Sequence, residues 1–379
     1  MKLVFRNGIS FQPKYIGRFL FLFYCSTLTS IFSAMERLLY RKKINQMACP
    51  DNPIIIIGHW RSGTTFLHQL LNQSPDLTAP SLFQVGTPEC FLISRKFLMP
   101  HIVPFLTKKR SVDNVAIGLD EPQEDEYALF RMTTVSPVEE LIFPKRSSFF
   151  LNDISTYLPD YNHEPFWREA LITLVKKLAY ESGKKIVLKN PFHSMRISYL
   201  KKLFPKVKFV HIYRNPLDTI PSTMHMWNIV GQQNTLRKEF TPPSLENSIE
   251  IYDKMLWKIR RDFVDIPQND YCEIGFEELE QQPVEAIKRI CRMIDIPFSK
   301  TYRENIESFL KKIDKYKKNS YRLLKYEKDY IKRNLKHHMK YYGYYDNMKG
   351  SKANFSNNTG SFITGILQLQ NKCSNISTN

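Results

Sequence analysis

Four consecutive isoleucines, Ile54 to Ile57, stand between Pro53 and Gly58 and are followed by His59-Trp60-Arg61-Ser62-Gly63-Thr64-Thr65. An unbroken apolar run of this length, closed by turn residues, suits a parallel strand covered on both faces. Gly58 and Gly63 bracket a loop in which the backbone can approach a ligand closely. Phe66, Leu67, Leu70 and Leu71 then recur at helical spacing, so a helix is expected to start near Gly63. The unpaired N–H groups of its first turn, reinforced by the helix dipole, form an anion site. A strand, an anion-binding loop and a helix in direct succession restrict the chain to α/β architectures.

The loop differs from a nucleotide phosphate loop in one respect. That motif reads G-x-x-x-x-G-K-[ST], with the lysine on the β- and γ-phosphates. Here the glycine spacing is kept, but Thr64 occupies the lysine position and the cation has moved back to Arg61. The result is an anion cradle with two hydroxyls, Thr64 and Thr65, and a fork-shaped guanidinium matched to an oxyanion. Taken by itself, the same segment also suits an ordinary strand-to-helix turn with a surface arginine.

Further strands are expected at Lys185 to Lys189, Val207 to Tyr213 and Tyr271 to Ile274. Helices are expected at Met195 to Phe204, from Leu217, at Leu245 to Val264 and at Val284 to Ile294. The section from 75 to 180 shows little regular alternation. Strands alternating with helices imply a mostly parallel sheet with helices on both faces, a three-layer α/β fold. Ligands of such sheets sit at the carboxyl ends of the strands, where Arg61, Lys189 and Arg214 would converge. Arg214 leaves a strand end and Ser222 follows eight residues later, about two turns along the next helix. With the Gly58–Thr65 loop this makes two separate anion sites, and a bisphosphate fits them better than a single triphosphate.

At this point the chain resembles the sulfotransferases that use 3′-phosphoadenosine-5′-phosphosulfate (PAPS), whose fold is P-loop NTPase-like. The segment Gly58 to Thr65 looks like their 5′-phosphosulfate loop, in the arginine form common in bacteria. Arg214 to Ser222 looks like their 3′-phosphate site. Pro122 to Leu129, with Glu124, Asp125 and Glu126, resembles the acidic motif of the same branch. Val187 to His193 resembles its K-[ST]-P-x-H segment, with Asn190 in place of the hydroxyl residue. Glu273 to Leu279 followed by Pro283, and Ser320 to Leu323 running on to Gly343, resemble its later elements. The likeness covers residues 50 to 346. The Arg-Lys-Gly segment of cytosolic animal members is missing, Met348-Lys349-Gly350 being a faint echo.

The resemblance implies that Arg61, Ser62, Gly63, Thr64 and Thr65 hold the 5′-phosphosulfate, and that Arg214 and Ser222 hold the 3′-phosphate. It implies in-line transfer of a sulfuryl group to a hydroxyl or amine. The acceptor proton needs a base within hydrogen-bond reach. Charge building on the leaving oxygen needs fixed cations and N–H groups, which Arg61, Lys189 and the loop amides can supply. Glu124 is the first choice of base because the acidic motif falls on it. Asp125 and Glu126 compete with it, and His193 is an alternative. No metal is required and no ligand spacing indicates one; His337 and His338 read as surface residues. Two other readings remain: a kinase-like nucleotide enzyme on the same scaffold, and a non-catalytic membrane-associated binding protein.

The formal charge of +18 implies an anionic partner. Between Lys300 and Lys352 sixteen Lys or Arg face six Asp or Glu, a surplus of ten. Nucleic acid is the weaker option, since no recognised motif accompanies the charge; an anionic membrane surface and a small-molecule, lipid or glycan acceptor remain. Residues 19 to 35 are the one apolar run of membrane interest. At ~17 residues the run is at the short limit for a spanning helix. It carries six Ser, Thr or Cys positions and is flanked by basic residues on both sides. An interfacial or packed helix ranks above a signal anchor. The expected organisation is an N-terminal helical segment at 1–48, a transferase domain at 49–346 and a disordered tail at 347–379, in a cytoplasmic protein peripheral to the membrane. Six scattered cysteines without a C-x-x-C agree with a reducing compartment.

Overall fold

The computed structural model describes residues 16–103, 112, 118–144, 159–160, 162–236, 240–314, 319 and 321–345. The chain divides into two compact units, Met1–Tyr342 and Gly343–Asn379. The tail at 347–379, the Lys349 echo and Ser320 lie outside the described residues.

A five-stranded sheet organises the first unit: β1 (Ile54–Ile57), β2 (Leu77–Thr78), β3 (Lys185–Lys189), β4 (Lys208–Tyr213) and β5 (Tyr271–Gly275), in the order β2-β3-β1-β4-β5. Every pairing is parallel, with Ile54 beside both Val187 and Lys208. The four isoleucines of β1 are fully buried in the middle of this sheet, each contributing about 1.5–3 kcal/mol over an exposed position. Ile54 and Ile56 join Val187, Val210, Ile212 and Ile274 on one face, against Leu67, Leu70 and Leu71 of the Thr64–Leu71 helix and the Pro283–Met293 helix. On the other face Phe209 meets Phe263 of the Leu245–Phe263 helix. The chain leaves β1 towards β2 on one side and β4 towards β5 on the other, so the carboxyl ends of β1, β3 and β4 open a crevice.

Two expectations change. The section from 75 to 180 contains β2 and helices at Leu82–Gly86, Phe91–Ile102, Asp125–Thr133, Glu139–Ile142 and Glu164–Ser182. The helix expected at Met195 to Phe204 runs Ile197–Leu203, and a separate 3-10 turn, Pro191–Met195, precedes it. The break falls at Arg196, whose side chain is drawn to Glu126.

The apolar N-terminal run is part of a helix, Ile16–Gln46. No helix among the described residues is long and apolar enough to cross a membrane. This helix is fastened to the domain by a buried ion pair, Glu36 to Lys177, at 2.5 Å. Glu36 also accepts from the Leu92 N–H at 2.8 Å. Its hydroxyls explain why the run looks too polar for a lipid span. Thr29 and Ser30 donate back to the carbonyls of Cys25 and Ser26 at 2.9 and 2.7 Å.

Candidate active site

The loop after β1 is held in a conformation that its glycines make accessible. Gly58 has φ 147°, and a Cβ there would lie 2.4 Å from the Ile212 carbonyl oxygen. Gly63 has φ 100°, and a Cβ there would lie 2.3 Å from the Phe276 ring. Arg61 adopts the left-handed region, φ 65°, without being glycine; such strain persists only where surrounding contacts fix it. The contacts are present. Ser62 donates its hydroxyl to the His59 carbonyl at 2.7 Å. Thr223 donates to the Trp60 carbonyl at 3.2 Å, and the Trp60 ring is wedged between Phe192 and Trp227. Ser194 clasps Gly58, accepting from its N–H at 2.9 Å and lying 3.3 Å from its carbonyl. Gly63 caps the Thr64–Leu71 helix with no side-chain bond, so its first turn opens on the crevice.

The two anion sites expected from the sequence meet. Arg61 Nε donates to Ser222 Oγ at 2.9 Å. Arg214 Nη1 lies 3.4 Å from the Arg61 carbonyl, and its guanidinium stacks 4.4 Å over the Phe276 ring. Arg214 Nε is buried without a hydrogen-bond partner among the described residues, a donor whose desolvation an anion would offset. The Tyr252 hydroxyl donates to the Arg214 carbonyl at 3.1 Å and fixes the strand end. Ser62 is buried with its hydroxyl spent inside the loop, whereas Thr64 and Thr65 open the helix. Two buried histidines of the loop and its helix disfavour the charged form. Burial lowers His59 to about 4. Burial, and then the Lys189 charge, push His68 well below its ordinary range.

Beside the loop, three consecutive acids take three bases in order. Lys189 Nζ, at the end of β3, donates to Glu124 Oε1 at 2.6 Å and lies 3.5 Å from Thr65 Oγ1. Asp125 Oδ2 and His193 Nε2 are 2.8 Å apart, both fully buried. Arg196 grips Glu126 with both terminal nitrogens, at 2.6 and 3.3 Å. Burial alone would raise Glu126, but the Arg196 charge and bonds from Arg196, Ser136 and Asn190 hold its carboxyl below the ordinary range. Glu124, at the N-cap of the Asp125–Thr133 helix, is the most exposed member of the acidic triplet, at 20 %. His193 lies inside, its other ring nitrogen 3.4 Å from Arg196. Asn190 donates to Glu126 at 2.7 Å, so its side chain braces this ladder.

The model of the sulfotransferase family matches residues 53–300. The chain belongs to the sulfotransferase family. This sulfotransferase is similar to omega-hydroxy-beta-dihydromenaquinone-9 sulfotransferase Stf3 of Mycobacterium bovis and of Mycobacterium tuberculosis. Each is 28% identical over 327 residues, covering 85% of this chain and 83% of the relative. In fold it is similar to the crystal structure of sulfotransferase STF9 from Mycobacterium avium, with TM-score 0.60, 16% identity, and 88% and 87% of the two chains covered. Sulfotransferase STF1 from Mycobacterium tuberculosis follows at 0.56 and 17%, with 80% and 81% covered.

Sequence reasoning missed Ser194, Arg196 and Trp60. The bases at 189, 193 and 196 opposite acids at 124, 125 and 126 were the available signal. It also placed His338 at the surface. His338 is buried, held between Asp253, 2.9 Å from its Nε2, and Arg260 on its Nδ1. His337 Nε2 is 3.0 Å from the same carboxylate. The three could hold a metal ion by spacing alone. The Arg260 donor requires a proton on His338 Nε2, which makes the cluster a hydrogen-bonded network.

Proposed function

We propose that this sulfotransferase moves a sulfuryl group from PAPS to the hydroxyl of a lipid-like acceptor, with Glu124 as the base. The observation that carries it is the convergence of Glu124, Lys189 and Thr65 at the head of the glycine loop. The residues fit PAPS: an uncapped helix turn and Arg61 at one end, and the orphaned Arg214 Nε with Ser222 at the other. PAPS, when bound, supplies the sulfuryl group.

The residues divide the work as the reaction requires. The acceptor oxygen forms a bond to sulfur as the sulfur–phosphate-oxygen bond breaks. Glu124 takes the acceptor's proton; its ion pair uses Oε1, and Oε2 has no partner among the described residues. Lys189, Arg61 and the loop N–H groups meet the charge that develops on the leaving oxygen. Asp125–His193 and Glu126–Arg196 hold the start of the acidic helix so that Glu124 stays beside Lys189. The mycobacterial relatives are named for an omega-hydroxylated menaquinone derivative, which supports a hydroxyl on an apolar molecule as the acceptor class.

Adenosine 3′,5′-bisphosphate should raise the melting temperature, and Arg214→Ala should weaken its binding by about 10–100-fold, the scale of a charge-assisted pair. Stabilisation by ATP–Mg but none by the bisphosphate would revive the kinase-like reading and sink this one.

The N-terminal helix supports a peripheral membrane association. Leu20, Phe23, Tyr24, Ile31, Met35 and Leu38 recur on one exposed face, Leu38 at 87 % exposure. Exposed Arg41, Lys42 and Lys43 follow it, which suits an anionic lipid surface. The protein should sediment with vesicles containing phosphatidylglycerol. The double change Phe23→Glu/Leu38→Glu should lower the bound fraction at least ~10-fold. Unchanged sedimentation of that variant, or dimerisation through this face without vesicle binding, would refute the association.

A further inference from the structure

We infer that the cavity between the Ile16–Gln46 and Asp125–Thr133 helices receives the apolar chain of the acceptor, and that the acceptor is a long-chain alcohol. This deepens the reading above and rests on Glu124 being the base. The cavity has a volume of about 540 Å³, inside the range of roughly 300–1,000 Å³ usual for small-molecule sites.

The wall is apolar where a chain would lie. Leu22, Val85, Phe130, Ile142, Phe143 and Leu236 line it. Several of its polar members are already paired. Arg131 binds Glu89 at 3.0 Å and Thr29 at 2.8 Å, while Thr29 and Ser30 hydroxyls bond to their own helix. An apolar guest therefore leaves these donors satisfied, the condition under which its burial is favourable.

Position connects the cavity to the chemistry. Tyr127, Phe130, Arg131 and Thr134 all line it, and they follow Glu124 at steps of three, six, seven and ten residues. These four share one side of the helix, and Glu124 sits at its N-cap, so the cavity begins about one turn from the proposed base. From Tyr127 to Thr134 it extends roughly 10 Å along the axis, at about 1.5 Å per residue. A hydroxyl at Glu124 thus leads its chain down this face. The other wall is the N-terminal helix, whose opposite face is the exposed apolar stripe. An alcohol dissolved in a lipid surface would meet the protein at the helix that walls its site.

The test uses the full chain and pyrene-labelled dodecanol. Fluorescence should show saturable binding, displaced by unlabelled dodecanol and not by butanol. Leu22→Trp and Ile142→Arg should each weaken it at least tenfold, with unchanged thermal melting as the folding control. Should either variant fail to fold, a diazirine-bearing dodecanol on the wild-type chain gives the answer, with crosslinks expected at Tyr127, Phe130 and Phe143. Non-saturable binding, equal binding by folded variants, or crosslinks confined to the outer stripe would overturn the inference. Failure of the bisphosphate to bind, with the alcohol still in the cavity, would instead sink the donor reading alone.

Discussion

Glu124→Gln lowers kcat for sulfuryl transfer by about 10²–10⁴-fold, the usual contribution of a positioned general base, while bisphosphate binding changes little. Glutamine keeps an oxygen near Lys189 Nζ, which is 2.6 Å from Glu124 Oε1, so the geometry of the β3 end survives and the proton acceptor is lost. A structural role predicts the opposite pattern, with binding and melting temperature falling together. Formate added to Glu124→Ala separates the cases further, because a small carboxylate can restore proton removal but cannot restore the packing of a tethered side chain. His193→Gln supplies the contrast. That ring is fully buried against Asp125, so the variant should lose stability and rate in parallel. Steady-state kinetics with labelled PAPS reads all three. A Glu124→Gln enzyme within a factor of ten of wild type removes this residue from the chemistry.

What could be read from the sequence was what is encoded locally. The four isoleucines, the two glycines and Arg61 lie within ten residues, and each carries its reason with it: burial on both faces, positive φ, a cation for an anion. β3, β4 and β5 were visible for the same reason, as apolar runs ended by turn residues. β2 is two residues long, Leu77–Thr78, too short for any period to show. The Glu164–Ser182 helix had Pro165 in its first turn and Gly183 at its end, signals drowned by apolar residues spread around its circumference. The site residues that were missed depend on pairing across the fold. Arg196 meets Glu126 seventy residues away, and Ser194 meets Gly58 across 136. Asn190 looked like a defect in a ligand-binding position, yet its amide is committed to Glu126. The direct Arg61–Ser222 bond could not be seen either, since the sequence places the two residues in separate anion sites.

Replacing Arg196 by Met should destabilise the fold by about 3–5 kcal/mol, the cost of leaving one member of a buried ion pair without its partner. Both side chains are 2 % exposed, so water cannot substitute for the guanidinium. Methionine retains much of the packing of Arg196 over Trp167 and Phe192, which isolates the charge. The pH dependence decides the cause. In the wild type Glu126 is held below the ordinary carboxylate range, so its contribution is full at neutral pH and is lost as pH falls through that depressed value. Without Arg196, burial, the largest single influence on this group, is opposed only by the Ser136 and Asn190 bonds, and the carboxyl rises from its wild-type value. The variant's folded state then prefers the protonated acid and gains relative stability on acidification. Denaturant unfolding from pH 7 to pH 4 should therefore show the gap between wild type and Arg196→Met narrowing. Adding Glu126→Gln should restore part of the loss at pH 7 and remove the variant's gain on acidification. A gap that stays constant with pH would mean that lost packing, and not the buried carboxylate, sets the penalty. The ladder holding Glu124 would then be steric and not electrostatic.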